Sequence, residues 1–112
     1  MSRKTIKISK EFHHRLVNRD KYQGNGKHTG KMFRDQFLKD LSQKTWWNEN
    51  NTIVLDFEGV TTVGPSWANE VFAFYTSIVD SKEEIFKKII FENISDVKME
   101  TIEEEVGSGY DS

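Results

Sequence analysis

The chain has 112 residues and a net charge of −2 from 16 basic and 18 acidic side chains, which suits one compact domain without the overall cationic character of a nucleic-acid binder. Apolar residues make up 36% and aromatic residues 12%, the composition of a chain that folds around a core rather than staying disordered. There is no cysteine, which excludes disulfide frameworks, zinc ribbons and thiol catalysis and points to the cytoplasm, and the longest apolar run, Val71 to Tyr75, is far too short to cross a bilayer.

In chain order, Met1-Ser2-Arg3-Lys4 leads into no apolar stretch, so no secretory leader is expected. Thr5 to Ser9 alternates polar and apolar side chains and predicts a strand with Ile6 and Ile8 on one face. One further strand could hide between Glu11 and Tyr22, where the pattern is weakest. Tyr22 to Gly30 carries three glycines and reads as a loop. Phe33, Phe37 and Leu41 fall at helical spacing and predict a helix over Lys31 to Ser42, with Thr29 placed to cap it. Asn48 to Asn51 is a polar turn before the apolar strand Ile53 to Phe57, a run that fits a strand covered on both faces. A second helix is expected over Ser66 to Asp80, with Ala68, Val71, Phe72, Tyr75, Ile78 and Val79 on its apolar stripe and Pro65 at its mouth. Lys88 to Phe91 is a third strand, and Ser95 can cap a last helix that buries Val97, Ile102 and Val106.

Strand and helix thus alternate, which argues for an α/β fold with parallel neighbours linked by right-handed crossovers. The expected architecture is a central mixed sheet of about four strands with helices packed on it. It would occupy residues 1–106, with 107–112 as a flexible tail.

Several groups invite a chemical reading. Ser66 stands at a helix start, where its hydroxyl can cap an orphan N–H or where a phosphate would be held by the free N–H groups. Trp67 lies at the edge of the apolar stripe, open to a core role and to a docking role alike. Trp46 and Trp47 cannot both point inward from a regular strand, so one is expected to be partly exposed. Asp56 and Glu58 would share a face of a regular strand, but no partner group is tied to them, and a strand-end cap explains them better than a metal. The segment Gly24 to Lys31 departs from a phosphate loop at Asn25 and Met32, yet Lys27, Lys31 and Arg34 could attract an anion or nucleotide. His13, His14 and His28 have no carboxylate or cysteine at ligand spacing, so no metal and no cofactor is expected. No catalytic arrangement can be argued from spacing. The basic residues between Arg3 and Lys44 read as a solvated face rather than a nucleic-acid site.

Ile53 to Val60, followed by Gly64 to Phe72 and preceded by Gly30-Lys31-Met32-Phe33-Arg34 with Phe37-Leu38, resembles the STAS-like family of bacterial domains. These segments run from about residue 24 to residue 94. The STAS domains related to that family include anti-sigma factor antagonists, which dock on a kinase-like ATPase and are released when a serine at a helix start is phosphorylated. The resemblance implies a regulatory docking module rather than an enzyme. Its partner would be a histidine-kinase-like ATPase or an anti-sigma factor, with a homodimer also open. Its docking surface would comprise Gly64, Pro65, Ser66, Trp67, Asn69, Glu70 and Arg34, with Ser66 at the switch position. In this chain Pro65 stands where the antagonists carry the acceptor serine, and Trp67 replaces a glycine.

Overall fold

The computed structural model describes residues 2–18 and 28–111. The first element is the strand β1, Ser2–Lys7, which gives way at once to a single helical turn, α1, Ile8–Glu11. Ile6 and Ile8 are both buried, the first from the strand and the second from the turn, so the alternation located the core residues although the strand ends earlier than expected. The weakly patterned stretch behind them holds the short strand β2, Arg15–Leu16.

The expected helix over Lys31 to Ser42 is divided. Helix α2 runs over Gly30–Phe37, with the Thr29 hydroxyl accepting from the Met32 N–H at 3.1 Å as the predicted cap. At Leu38 the backbone leaves helical geometry, a 3-10 turn follows over Lys39–Ser42, and a third helix, α3, occupies Lys44–Asn48. The break lets Leu38, Leu41 and Trp47 all reach the core, which one straight helix would not allow. Trp47 is buried and donates its indole N–H to the Leu41 carbonyl at 2.8 Å, while Trp46 is half-buried with the Lys88 ammonium over its ring.

Strand β3 is Asn51–Asp56. It ends in a tight turn in which Gly59 takes φ +85°, a conformation only glycine adopts without strain. A Cβ there would also lie 2.6 Å from the Ser9 hydroxyl. The turn leads to β4, Thr62–Val63, and then to helix α4, Pro65–Phe72, which tightens to a 3-10 turn over Ala73–Ser77. Pro65 occupies the first helical position, as expected. Helix α5, Lys82–Lys88, has no counterpart among the expected elements and runs directly into strand β5, Ile89–Glu92.

The last helix, α6, covers Asp96–Asp111, with the Ser95 hydroxyl accepting from the Lys98 N–H. It buries Ile102 and Val106, but Val97 is 76% exposed. Residues 107–111, where a tail is expected, continue this helix: Tyr110 donates its hydroxyl to the Val79 carbonyl at 2.7 Å.

The sheet corrects the expectation of a mixed, roughly four-stranded arrangement. Among the described residues three strands form the main sheet in the order β1-β3-β5, all parallel, with Ile6, Leu55 and Phe91 in one row. Strands β2 and β4 form a separate parallel pair, Arg15 beside Thr62 and Leu16 beside Val63. The division follows from the turn at Gly59: it carries the chain out of the plane of β3, and Thr61 then binds the His14 carbonyl at 2.8 Å. On the helical side, Ile6, Leu55 and Ile89 join Phe33, Trp67, Phe72 and Tyr75 in one core. On the other face Val54 is buried between exposed Thr5 and half-buried Ile90, so that face is not covered throughout. No helix among the described residues is long and apolar enough to cross a membrane.

Candidate functional site

The residues singled out in sequence converge on the seam between α2 and the first two turns of α4. Gly64 is the N-cap of α4, and its own N–H donates to the Leu16 carbonyl at 2.7 Å, fastening the helix start to the β2–β4 pair. A glycine cap has no side chain to offer, so no side-chain oxygen caps this helix. This corrects one reading of Ser66: it lies inside the helix at its second position, half-buried, and is not the cap. The first-turn N–H groups and the positive end of the helix dipole lie beside its hydroxyl.

Trp67 has no exposed surface. It packs between Phe33, at 5.2 Å between ring centroids, and Phe72, at 5.9 Å, and so belongs to the core and not to a docking surface. The reason is geometric: α2 closes over the start of α4. A Cβ placed on Gly30 would lie 3.0 Å from the Glu70 Cβ and 3.1 Å from the Trp67 carbonyl oxygen. The Trp67 indole N–H is buried without an acceptor among the described residues, a cost on the order of 1–3 kcal/mol that a partnered indole would not carry.

Arg34 and Glu70, 36 positions apart in sequence, are brought into direct contact. One guanidinium nitrogen of Arg34 donates to the Glu70 backbone oxygen at 2.5 Å and also to the Glu70 carboxylate. The two side chains keep 12% and 21% of their surface exposed. The same guanidinium lies 4.1 Å from the centroid of the Phe74 ring, itself 39% exposed. Arg34 and Phe74 border a shallow groove of about 290 Å³ with Asp35, Leu38, Lys39 and Ser42. Neither the Arg34–Glu70 pair nor the part played by Phe74 was evident in the sequence, since no local spacing joins them. Asn69 is half-buried on the same helix. Lys31 is exposed and pairs with Asp35 at 2.7 Å, a surface contact worth at most about 1 kcal/mol. The remaining part of the anion-binding reading, Gly24 to Lys27, lies outside the described residues.

Asp56 behaves as the strand-end cap. One carboxylate oxygen accepts from the Asn93 side-chain amide and from the Glu58 N–H, each at 2.9 Å. These bonds, the Asn93 bond first, hold its carboxyl below the usual carboxylate range. β3 ends at Asp56, so Glu58 lies in the turn and is exposed rather than continuing a strand face with it.

The histidines come closer together than their spacing suggests. His13 and His28 stack at 4.0 Å with their planes 7° apart, and His14 lies 4.5 Å from His13. Among the described residues no group of three or more metal-ligating side chains could hold an ion. Burial, followed by the neighbouring His28 and His14, pushes the His13 imidazole below its ordinary value.

Residues 29–99 match a family model described as a STAS-like domain of unknown function (DUF4325). The match takes in α2, β3, α4 and β5, and so every part of the α2–α4 seam. Neither the curated proteins nor the solved structures give a match.

Proposed function

The chain belongs to the STAS-like family, and from that premise we propose that it is a regulatory docking module that acts in the cytoplasm by binding a protein partner rather than by catalysis. The partner class that fits best is a histidine-kinase-like ATPase or an anti-sigma factor. The docking surface is the outer side of the α2–α4 seam: Ser66, Asn69 and Glu70 from α4, Arg34 from α2, and the exposed ring of Phe74. Trp67 supports this surface from beneath, by fixing how α4 lies against α2.

The observation that carries the reading is the position of Ser66. Half-buried, it stands at the second position of a helix whose cap is a glycine, so among the described residues no other side chain caps the first-turn N–H groups. A phosphate there would add close to two negative charges beside the Arg34–Glu70 pair. That is sufficient to reorganise the pair and to repel an acidic partner.

The test is affinity capture from the source cell with wild type, Ser66→Ala and Ser66→Asp, read by mass spectrometry and followed by titration of the retained protein. The expected result is an ATPase or sigma-factor regulator held by wild type and Ser66→Ala and lost from Ser66→Asp. Equal retention by all three would remove Ser66 as a switch, and retention of no regulator of either kind would remove the partner assignment.

A further inference from the structure

The two edges of the three-stranded sheet are chemically unlike. Along β1 the side chains of Arg3, Lys4 and Lys7 are exposed, and such cations discourage a further strand. Along β5 there is no such protection. Ile90 and Phe91 are half-buried, no strand among the described residues lies outside them, and the edge borders a groove of about 530 Å³. Phe86, Ile94 and Met99 supply the rest of its apolar wall, and the charged residues that line it, Asp96 and Glu103, are both acidic.

Among the described residues the main chain of β5 is also unpaired where a strand would need it. The Glu92 carbonyl accepts from the Phe57 N–H at 2.9 Å, so Glu92, and with it Ile90 two residues earlier, directs its peptide groups toward β3. Phe91, between them, turns its N–H and C=O outward. The N–H of Ile89 is taken by the Ile85 carbonyl, which leaves the Ile89 C=O on the outer side. Acceptor, donor and acceptor thus follow one another along an edge bordered by apolar side chains.

We propose that this edge receives an extended, basic segment of a partner protein as a fourth strand. Main-chain bonds to Phe91 and Ile89 supply the pairing, and the side chains on the groove-facing side of the strand meet both its apolar wall and the carboxylates of Asp96 and Glu103. The surface shares no residue with the α2–α4 seam, so it stands or falls independently of the function proposed there.

The test uses the full chain and short fluorescent peptides of alternating valine and lysine, of alternating valine and glutamate, and of the lysine series interrupted by proline. Anisotropy titration is expected to show saturable binding of the valine–lysine peptide, with the glutamate and proline peptides weaker by roughly tenfold or more. Glu103→Lys, a change at an exposed helical position, should narrow the preference between lysine and glutamate peptides. In hydrogen exchange the Phe91 amide should slow on peptide binding. The proposal is overturned if no peptide binds, if proline or charge reversal makes no difference, or if the Phe91 amide is unchanged while another surface responds. It is equally overturned if sedimentation shows a self-associated chain in which this edge is already occupied by a second copy.

Discussion

Replacing Arg34 by alanine tests whether the α2–α4 seam is held by its ion pair. The substitution removes two hydrogen bonds from one guanidinium nitrogen, one to the Glu70 backbone oxygen and one to its carboxylate, and removes the cation from the face of Phe74. Charged hydrogen bonds contribute about 1.5–3 kcal/mol when well buried. With 12% and 21% of the pair still exposed, about 1 kcal/mol for each is the better figure. The stacked cation adds about 0.5 kcal/mol. Arg34→Ala should therefore cost about 2–3 kcal/mol, or on the order of 10 °C in Tm for a chain of this size. Glu70→Gln keeps an oxygen that can accept but loses the charge, and should cost about 1 kcal/mol. Urea unfolding followed by tryptophan fluorescence measures both, and the double variant gives the coupling. A cost below about 0.5 kcal/mol for Arg34→Ala, or no coupling with Glu70, would show that solvent screens the pair and that packing at Gly30 alone sets the seam.

Trp67→Ala should cost about 3–5 kcal/mol as a core truncation, whereas Trp67→Phe, which also removes the orphan N–H, should cost no more than about 1.5 kcal/mol by urea melts. Tyr110→Phe should lose about 1 kcal/mol and speed amide exchange across the last two turns of α6; unchanged exchange would mean that the bond to Val79 does not hold them. The folded His13 imidazole is pushed below 6.5, so the unfolded chain takes up a proton first and stability should fall as pH drops from 6.5 through the lower folded value. His13→Asn should flatten that slope. The Asp56 carboxyl is also held low, so its contribution is present above 3.8 and lost as pH falls from there through the folded value; Asp56→Asn should remove that part of the acid transition.

Periodicity and cap chemistry were legible in the sequence. Thr29 caps α2, Pro65 opens α4, Ser95 leads α6, and the stripe Ala68, Val71, Phe72 and Tyr75 is buried. What local pattern could not supply was tertiary. The helix that breaks at Leu38 looks continuous because Leu41 keeps the period, and only the need to bury Leu41 beside Trp47 bends it. Helix α5 shows no apolar stripe, because Ile85 is its only fully buried position. Trp67 was ambiguous because a first-turn residue is inside or outside according to what closes over it, and α2 lies 30 positions upstream. The same distance concealed the Arg34–Glu70 pair, for which composition holds no signal. The histidine group has no local signal either: His28 stacks on His13 across a sequence separation that no helix or strand period spans.

The all-parallel sheet also sets the tempo at which the protein can form. Ile6 meets Leu55, Leu55 meets Phe91 and Leu16 meets Val63, so every strand pairing closes a long loop and none is a hairpin. The short helices can flicker in within microseconds, but they have no core to join until β3 finds both neighbours. Until β5 arrives, Ile53, Val54 and Leu55 present an unpaired apolar edge to any chain nearby. The slow step in refolding should therefore be the pairing of β3 with its two neighbours, and crowding during that interval should favour aggregation over the native pairing.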